Sequence, residues 1–405
     1  MSSQIGSYII GGKLQQTVTA PGLVSPDYTW EKVNTLNGGL DIGLLNNRLT
    51  ASFDIYTRRT IGMLTLGKEL PAVLGTSEPN ENAANLKTNG WELSVSYRDM
   101  FNLKGKPFKW GLRFVLSDSR SWITKFDNPN KTLGQYYKGQ ELGEIWGLQN
   151  DGMFKNKGEI DALDETQIIP WGALEIVNGW PKYKDLDGDK KITKGATVDK
   201  PGDLSRIGNS SPRYRFGFNL NAEWNGFDFS AFFQGIGKRD YYPISYLYWS
   251  FYQQPYAGGQ VHAFDFYRGA DDNDVEMAKH SKSYIKAGLA SQNLDARYPV
   301  FQAWLADKNL GTGINAMGLA IPQTSYLLNG AYLRIKNITV GYTLPEKLTQ
   351  KAHLSRVRLY VSGDNIFEWS ALKKYFDPEA VTDNDSYGYV YPFNRQYSFG
   401  INVTF

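Results

Sequence analysis

The residues spaced most plainly for chemistry are three aspartates in one short turn, Asp185-Leu186-Asp187-Gly188-Asp189, followed by Ile192. Carboxylates at alternate positions of a tight loop, with an apolar anchor just after them, are how an EF-hand-type loop gathers hard oxygen ligands for calcium, and Lys191 stands where such a loop donates a backbone carbonyl. Two positions depart from that pattern. Lys190 takes the place of the turn glycine, and the closing position falls on Ala196, which offers no carboxylate; Asp199 is the nearest acid beyond it. Without a metal the same turn is an exposed acidic loop, and its spacing serves either reading.

Other chemistries run short of residues. The chain has no Cys and only His262, His280 and His353, so thiolate sites are excluded and little is left for His-based metal or triad chemistry. The run Asp271-Asp272-Asn273-Asp274 holds carboxylates of the kind a glycosidase uses, but nothing in the sequence positions a pair of them across a bond, and no enzyme activity is expected. Lys and Arg total 44 against 41 Asp and Glu, too even a balance for a nucleic-acid footprint.

Aromatic residues are in excess, with 11 Trp, 26 Tyr and 21 Phe. They crowd into residues 241–264, where Tyr246, Tyr248, Trp249, Phe251 and Tyr252 lie among others, with no acidic, Lys or Arg residue between them. A lesser group, including Trp146, Trp171 and Trp180, lies upstream. As exposed platforms these rings would stack on sugars or anchor a protein partner; packed against neighbouring loops they would only hold those loops together.

The elements that must position these loops are strands. Period-two alternation marks 35–45, 48–56, 90–98, 109–117, 214–224, 227–234, 332–344, 357–364 and 396–405. Between 214 and 224 one face reads Tyr214, Phe216, Phe218, Leu220, Ala222 and Trp224, and the other Arg215, Gly217, Asn219, Asn221 and Glu223. In 332–344 the apolar phase switches between Ile335 and Ile338, which predicts a β-bulge. Short turns alternate with long connections at 66–86, 125–211, 240–329 and 370–395. That is the layout of an outer-membrane barrel, with Trp30, Tyr97, Trp224, Tyr342 and Trp369 at strand ends as interfacial girdles, and Arg98, Arg113, Arg215, Glu92 and Glu223 facing inward. No apolar run is long enough for a transmembrane helix, and the first residues lack the pattern of a secretory leader. A secreted sandwich also has greasy inner faces. The last strand, with Tyr397, Phe399, Ile401, Val403 and Phe405 on one face, favours the barrel, because a terminal Phe on an alternating strand is a usual ending of bacterial outer-membrane proteins.

Eight segments then resemble one family, the SusC/RagA-type TonB-dependent transporters. They are WEKVNTLNGGLDIGLLNNRLTASFDIY from Trp30, NGWELSVSY from Asn89, YKDLDGDKKIT from Tyr183, PGDLSRIGNSSPRYRFGF from Pro201, YLRIKNITVGYTLP from Tyr332, VRLYVSGDNIF from Val357, FDPE from Phe376 and YPFNRQYSFGINVTF from Tyr391. The resemblance implies an all-β fold: an antiparallel transmembrane β-barrel, incomplete, with about nine strands of a larger receptor barrel and long extracellular loops. Residues 1–405 would be the C-terminal part of the barrel domain, without signal peptide, N-terminal domain or plug, and on its own not a working transporter. It implies the outer membrane as the place, nutrient uptake (glycan or peptide) as the function, a SusD-like surface lipoprotein and outer-membrane lipid as partners, and TonB only through the missing parts. It also implies Asp203, before the Ile207-Gly208 pair, as the acid that closes the Asp185 loop around calcium. The alternative from another class is a secreted, aromatic-rich carbohydrate-binding β-sandwich.

Overall fold

The computed structural model describes the chain except residues 1–4, 19–22, 27, 67–78, 163–175, 254, 255, 257, 270–279, 302–317 and 382–390. Asp271, Asp272, Asp274 and Trp171 fall outside the described residues, as does the side chain of Tyr246.

Nine strands form one antiparallel sheet in which every neighbour in space is the next of the nine along the chain. They are β1 (Lys32–Leu44), β2 (Leu49–Leu66), β3 (Asn80–Leu103), β4 (Lys106–Lys125), β5 (Arg213–Trp224), β6 (Phe227–Lys238), β7 (Tyr332–Thr343), β8 (Arg356–Ser370) and β9 (Gln396–Thr404). All nine expected strands are present, as one sheet rather than the two packed sheets of a sandwich. Among the described residues no helix is long and apolar enough to cross a membrane.

Register makes the sheet two-faced. Leu49 lies opposite Tyr97, Tyr97 opposite Leu112, Leu112 opposite Leu220, and Leu220 opposite Ala231, which faces Ile338 on β7. One residue along, Arg98 pairs with Gly111, Gly111 with Asn221 and Asn221 with Ser230. Because side chains alternate with period two, every strand keeps its apolar set on one face and its polar set on the other. Arg98, Arg113, Arg215, Glu92 and Glu223 all belong to the polar face. On the apolar face Leu36, Ile55, Val340, Val361, Phe399 and Ile401 are exposed, a patch far larger than a water-soluble surface tolerates.

Aromatic residues bracket that face. At the short-turn end Tyr97 packs on Trp110 at 5.2 Å and Phe227 on Tyr342 at 4.5 Å, with Trp224 opposite Phe227. At the other end stand Trp369, half exposed, and Trp30, which precedes β1 and is 89% exposed. Two of the short turns are two-residue turns. Asn225-Gly226 and Lys104-Gly105 each place both residues in the left-handed region, the geometry that suits the twist of paired strands.

The strands run further than their alternation predicts. At the short-turn end the expected loop from Asp99 to Pro107 shrinks to Lys104-Gly105, because Phe101 and Phe108 meet across the hairpin at 5.1 Å and carry the ladder past the polar residues. At the other end β3 continues out to Asn80 through Asn89, Thr88 and Lys87, which have no apolar phase to read. Hydrogen bonding, unlike alternation, does not stop where a membrane would.

The buried core lies in the long connections, not on the sheet. Leu148, Phe154, Trp180, Tyr241, Tyr242, Tyr248, Trp249, Tyr252, Tyr298, Leu319, Tyr326, Leu372 and Val381 form one cluster drawn from the connections before β5, before β7 and before β9. The molecule is therefore inside out where its strands are concerned and conventional in its loops. Two substitutions test this. In the chain reconstituted in phospholipid, Leu220→Arg, central on the apolar face, should cost about 2–4 kcal/mol of unfolding free energy, while Asn219→Arg should cost less than about 1 kcal/mol. Trp249→Ala, in the loop core, should cost about 3–5 kcal/mol. Equal losses at 219 and 220 in a denaturant titration would overturn the two-faced assignment.

Candidate functional site

The acidic turn has the shape its spacing predicts. Asp185, Asp187 and Asp189 are exposed, and one carboxylate oxygen from each lies within 4.8 Å of the others. Asp185 accepts from the Gly188 and Lys190 amides at 2.6 and 2.8 Å, Asp187 from Asp189 N at 3.3 Å, and Asp189 from Lys191 N at 2.8 Å. Each carboxylate thus turns the backbone ahead of it. Lys190 adopts φ +64, the left-handed conformation usually given to glycine, so the turn forms there despite the substitution.

Asp203 is fully buried beneath this turn and ties its two sides together, accepting from Leu186 N and Thr193 N, both at 2.6 Å. Burial pushes its carboxyl above the ordinary range; those two amides pull the other way, and Asp187 and Asp185 raise it further. Asp185, held by backbone amides, is shifted down. The structure therefore places Asp203 beneath the same loop, tied to its backbone through both oxygens, and outside the group of three carboxylates that lie within 4.8 Å of one another. Asp199 is drawn elsewhere, to Lys131 at 3.3 Å.

The aromatic residues behave differently from the exposed platform their crowding suggests. Tyr248, Trp249 and Tyr252 are each 1% exposed and Trp180 is wholly buried. Their polar tips are used internally: Tyr248 Oη meets Tyr298 Oη at 2.9 Å, Trp249 donates to Pro243 O at 2.8 Å, and Tyr252 donates to Pro299 O at 2.7 Å. Rings so enclosed cannot stack on a ligand. Trp146 is half buried and donates to Glu144 at 2.9 Å, and Phe251 is half buried with its edge or face on Phe301 at 5.8 Å. The physical reason is volume: long connections this rich in rings bury them against one another before they offer any to solvent. Among the described residues of this stretch, Tyr256, Val261 and Phe264 are the large apolar ones that remain exposed.

A second polar cluster has no counterpart in the acidic or aromatic motifs. Arg334 on β7, only 2% exposed, pairs with Asp377 at 2.5 Å and with Glu379 at 3.0 Å. Lys336 also reaches Glu379, at 3.0 Å. Its signals in sequence are the broken apolar phase at Ile335–Ile338 and the Phe376-Asp377-Pro378-Glu379 motif, neither of which says that the two meet.

No protein-family model matches the chain. It is 26% identical over 425 aligned positions to TonB-dependent receptor P3 of Formosa agariphila, covering 98% of this chain and 36% of that protein. It is 28% identical over 418 positions to TonB-dependent receptor SusC of Bacteroides thetaiotaomicron, covering 100% and 35%. Among solved structures the RagAB peptide transporter superposes with a TM-score of 0.65 at 21% identity, covering 100% of this chain and 38% of that one. The RagAB peptide importer in its closed-closed state gives the same TM-score and coverage. The chain thus spans little more than a third of the length of the curated relatives it matches. It is similar to SusC-type TonB-dependent receptors along nearly its whole length, and its nine-stranded antiparallel wall shares the fold of the RagAB structures.

Proposed function

We propose that residues 1–405 form the C-terminal part of a receptor barrel in the outer membrane, supplying wall strands and the extracellular loops of an energy-coupled nutrient importer. The observation that carries this reading is the inverted packing: an apolar, solvent-facing sheet joined to a loop assembly with its own buried core. Such a surface is stable in lipid and not in water. The chain's part in uptake is to enclose a path and hold loops that meet nutrient, with glycan or peptide as the class of cargo. It breaks no bond and is not an enzyme. TonB would act through parts of the receptor outside these residues, and a SusD-like surface lipoprotein would sit on the long-loop side.

Two of the sequence candidates keep a role in contact under this reading as edges of that surface, Trp146 and Phe251, both half buried. Tyr248, Trp249, Tyr252 and Trp180 support it from beneath.

The acidic loop is proposed to hold calcium. Asp203 is a buried carboxylate whose neighbouring acids raise its pKa further, a concentration of negative charge that a divalent cation relieves. Asp185, Asp187 and Asp189 would supply side-chain oxygens, Lys191 its carbonyl, and Asp203 the buried carboxylate. Bound calcium supplies cross-linking of the turn, not catalysis.

Two experiments test these readings. Cells fractionated without detergent should leave the protein in the membrane pellet, and extraction in mild detergent should bring a SusD-like lipoprotein with it; recovery in the detergent-free soluble fraction would overturn the barrel. Calorimetric titration with calcium should give binding heat for the wild type and lose it in Asp187→Ala. Affinity should fall as pH is lowered, and earlier than for ordinary carboxylates, because Asp203 with its raised pKa takes up its proton first. Identical heats in the two proteins would remove the metal.

A further inference from the structure

The bulge in β7 has an effect on the loop that follows β8. Phe232 on β6 faces Asn337 and Phe233 faces Ile335, so Lys336 is the extra residue. Across the next pairing Ile335 faces Phe367 and Ile338 faces Gly363, which keeps both isoleucines in the apolar register. Arg334 and Lys336, two positions apart, share the polar side as alternate residues of a strand do, and the inserted residue returns Ile338 to the apolar face, so that both basic side chains are presented without moving an apolar one off the other face.

Both cations meet the same target. Lys336 Nζ lies 3.0 and 3.1 Å from the two oxygens of Glu379. Arg334 bridges Asp377 and Glu379. Arg334 and Lys336 also lie 5.2 and 4.8 Å from the centroid of the Phe393 ring. Asp377 joins the two ends of the connection: one oxygen accepts from Glu379 N at 3.0 Å, and the other from Phe393 N, also at 3.0 Å, just before β9. Arg239, at the end of β6, donates to the carbonyl of Val381 and to that of Ser210 at 3.2 Å. The connection is therefore gripped at its base from two strands. A cavity of about 360 Å³ lies beside this grip, lined by Tyr375, Phe376, Asp377, Phe393, Lys373 and Arg395 among others.

We propose that the Lys336 bulge is a positioning device, which holds the Asp377–Val381 turn and the Phe393 ring against the polar side of the wall and so fixes the mouth of this cavity. The base of the last long connection is then part of the rigid wall. Lys336 is a positioning residue in this scheme and need not touch any ligand, and the proposal stands whether or not the chain serves in transport.

Hydrogen exchange on the full chain in detergent micelles tests it through three amides, Glu379, Val381 and Phe393, that hydrogen-bond to Asp377. In the wild type they should be protected. Lys336→Met should raise their exchange about tenfold while Thr339 and Val340 on β7 keep their protection, a local opening of the kind loops show. Glu379→Gln, which leaves β7 untouched, should loosen the same amides, and Lys336→Arg should restore them. Two results would overturn the proposal: no change at the three amides in either loosening variant, or a loss of protection in Lys336→Met that spreads equally along β7, which would make the bulge a feature of the sheet alone.

Discussion

Everything in this molecule hangs on the backbone ladder of the sheet. In a hydrocarbon environment each N–H and C=O must find a partner within the protein, and antiparallel pairing is how strands provide one. The ladder also fixes the side chains. Shifting one strand by a single residue would send Leu220, Phe218 and their fellows to the polar face, so register and environment specify each other. The few crowded points on the polar face are relieved by glycine. A side chain at Gly341 would start 2.5 Å from both Asp228 and Arg358, whose ion pair crosses β7 from β6 to β8, so the absence of a Cβ there makes the bridge possible.

Above the wall the rules reverse. The long connections meet water and behave as a soluble domain does, with rings inside and charges outside. Their core gathers residues from three separate connections, so none of the three owns it. The rim between the two regimes is marked by ion pairs with one or both partners largely buried, Asp118 with Arg213, and Arg334 with Asp377, which orient the connections where they leave the strands. Such pairs contribute modest net stability after desolvation but strongly penalise alternative arrangements, because separating them leaves a buried charge alone.

The sheet was almost wholly legible in the sequence, because alternation is a direct imprint of a two-sided environment. The nine strands, their order, the aromatic ends and the bulge at Ile335–Ile338 could be read from 332–344 and its kin. The strand extensions beyond that environment left no such imprint, as Asn80 to Asn89 shows. The Asp185 loop was legible too, since its geometry is local. What could not be read was burial in the long connections. A run such as Tyr248, Trp249 and Tyr252 has the same composition whether it faces a ligand or a neighbouring loop, and the residues that enclose it, Tyr298 and Tyr326 among them, lie about fifty or more positions away. The clamp on Asp377 and Glu379 was hidden for the same reason.

The shared loop core has a consequence for the order of assembly. Hairpins such as β5–β6 close through two residues and can form early, whereas the cluster from Leu148 to Val381 requires connections far apart in the chain to meet, at a high cost in loop-closure entropy. The strands bring the roots of those connections together and lower that cost. The wall then acts as a template for its own cap, and pulse-labelled exchange should see hairpin amides protected before Trp180 or Tyr248 is enclosed. A lesion that slows strand pairing would leave the ring-rich connections open to water longest, and aggregation would begin there.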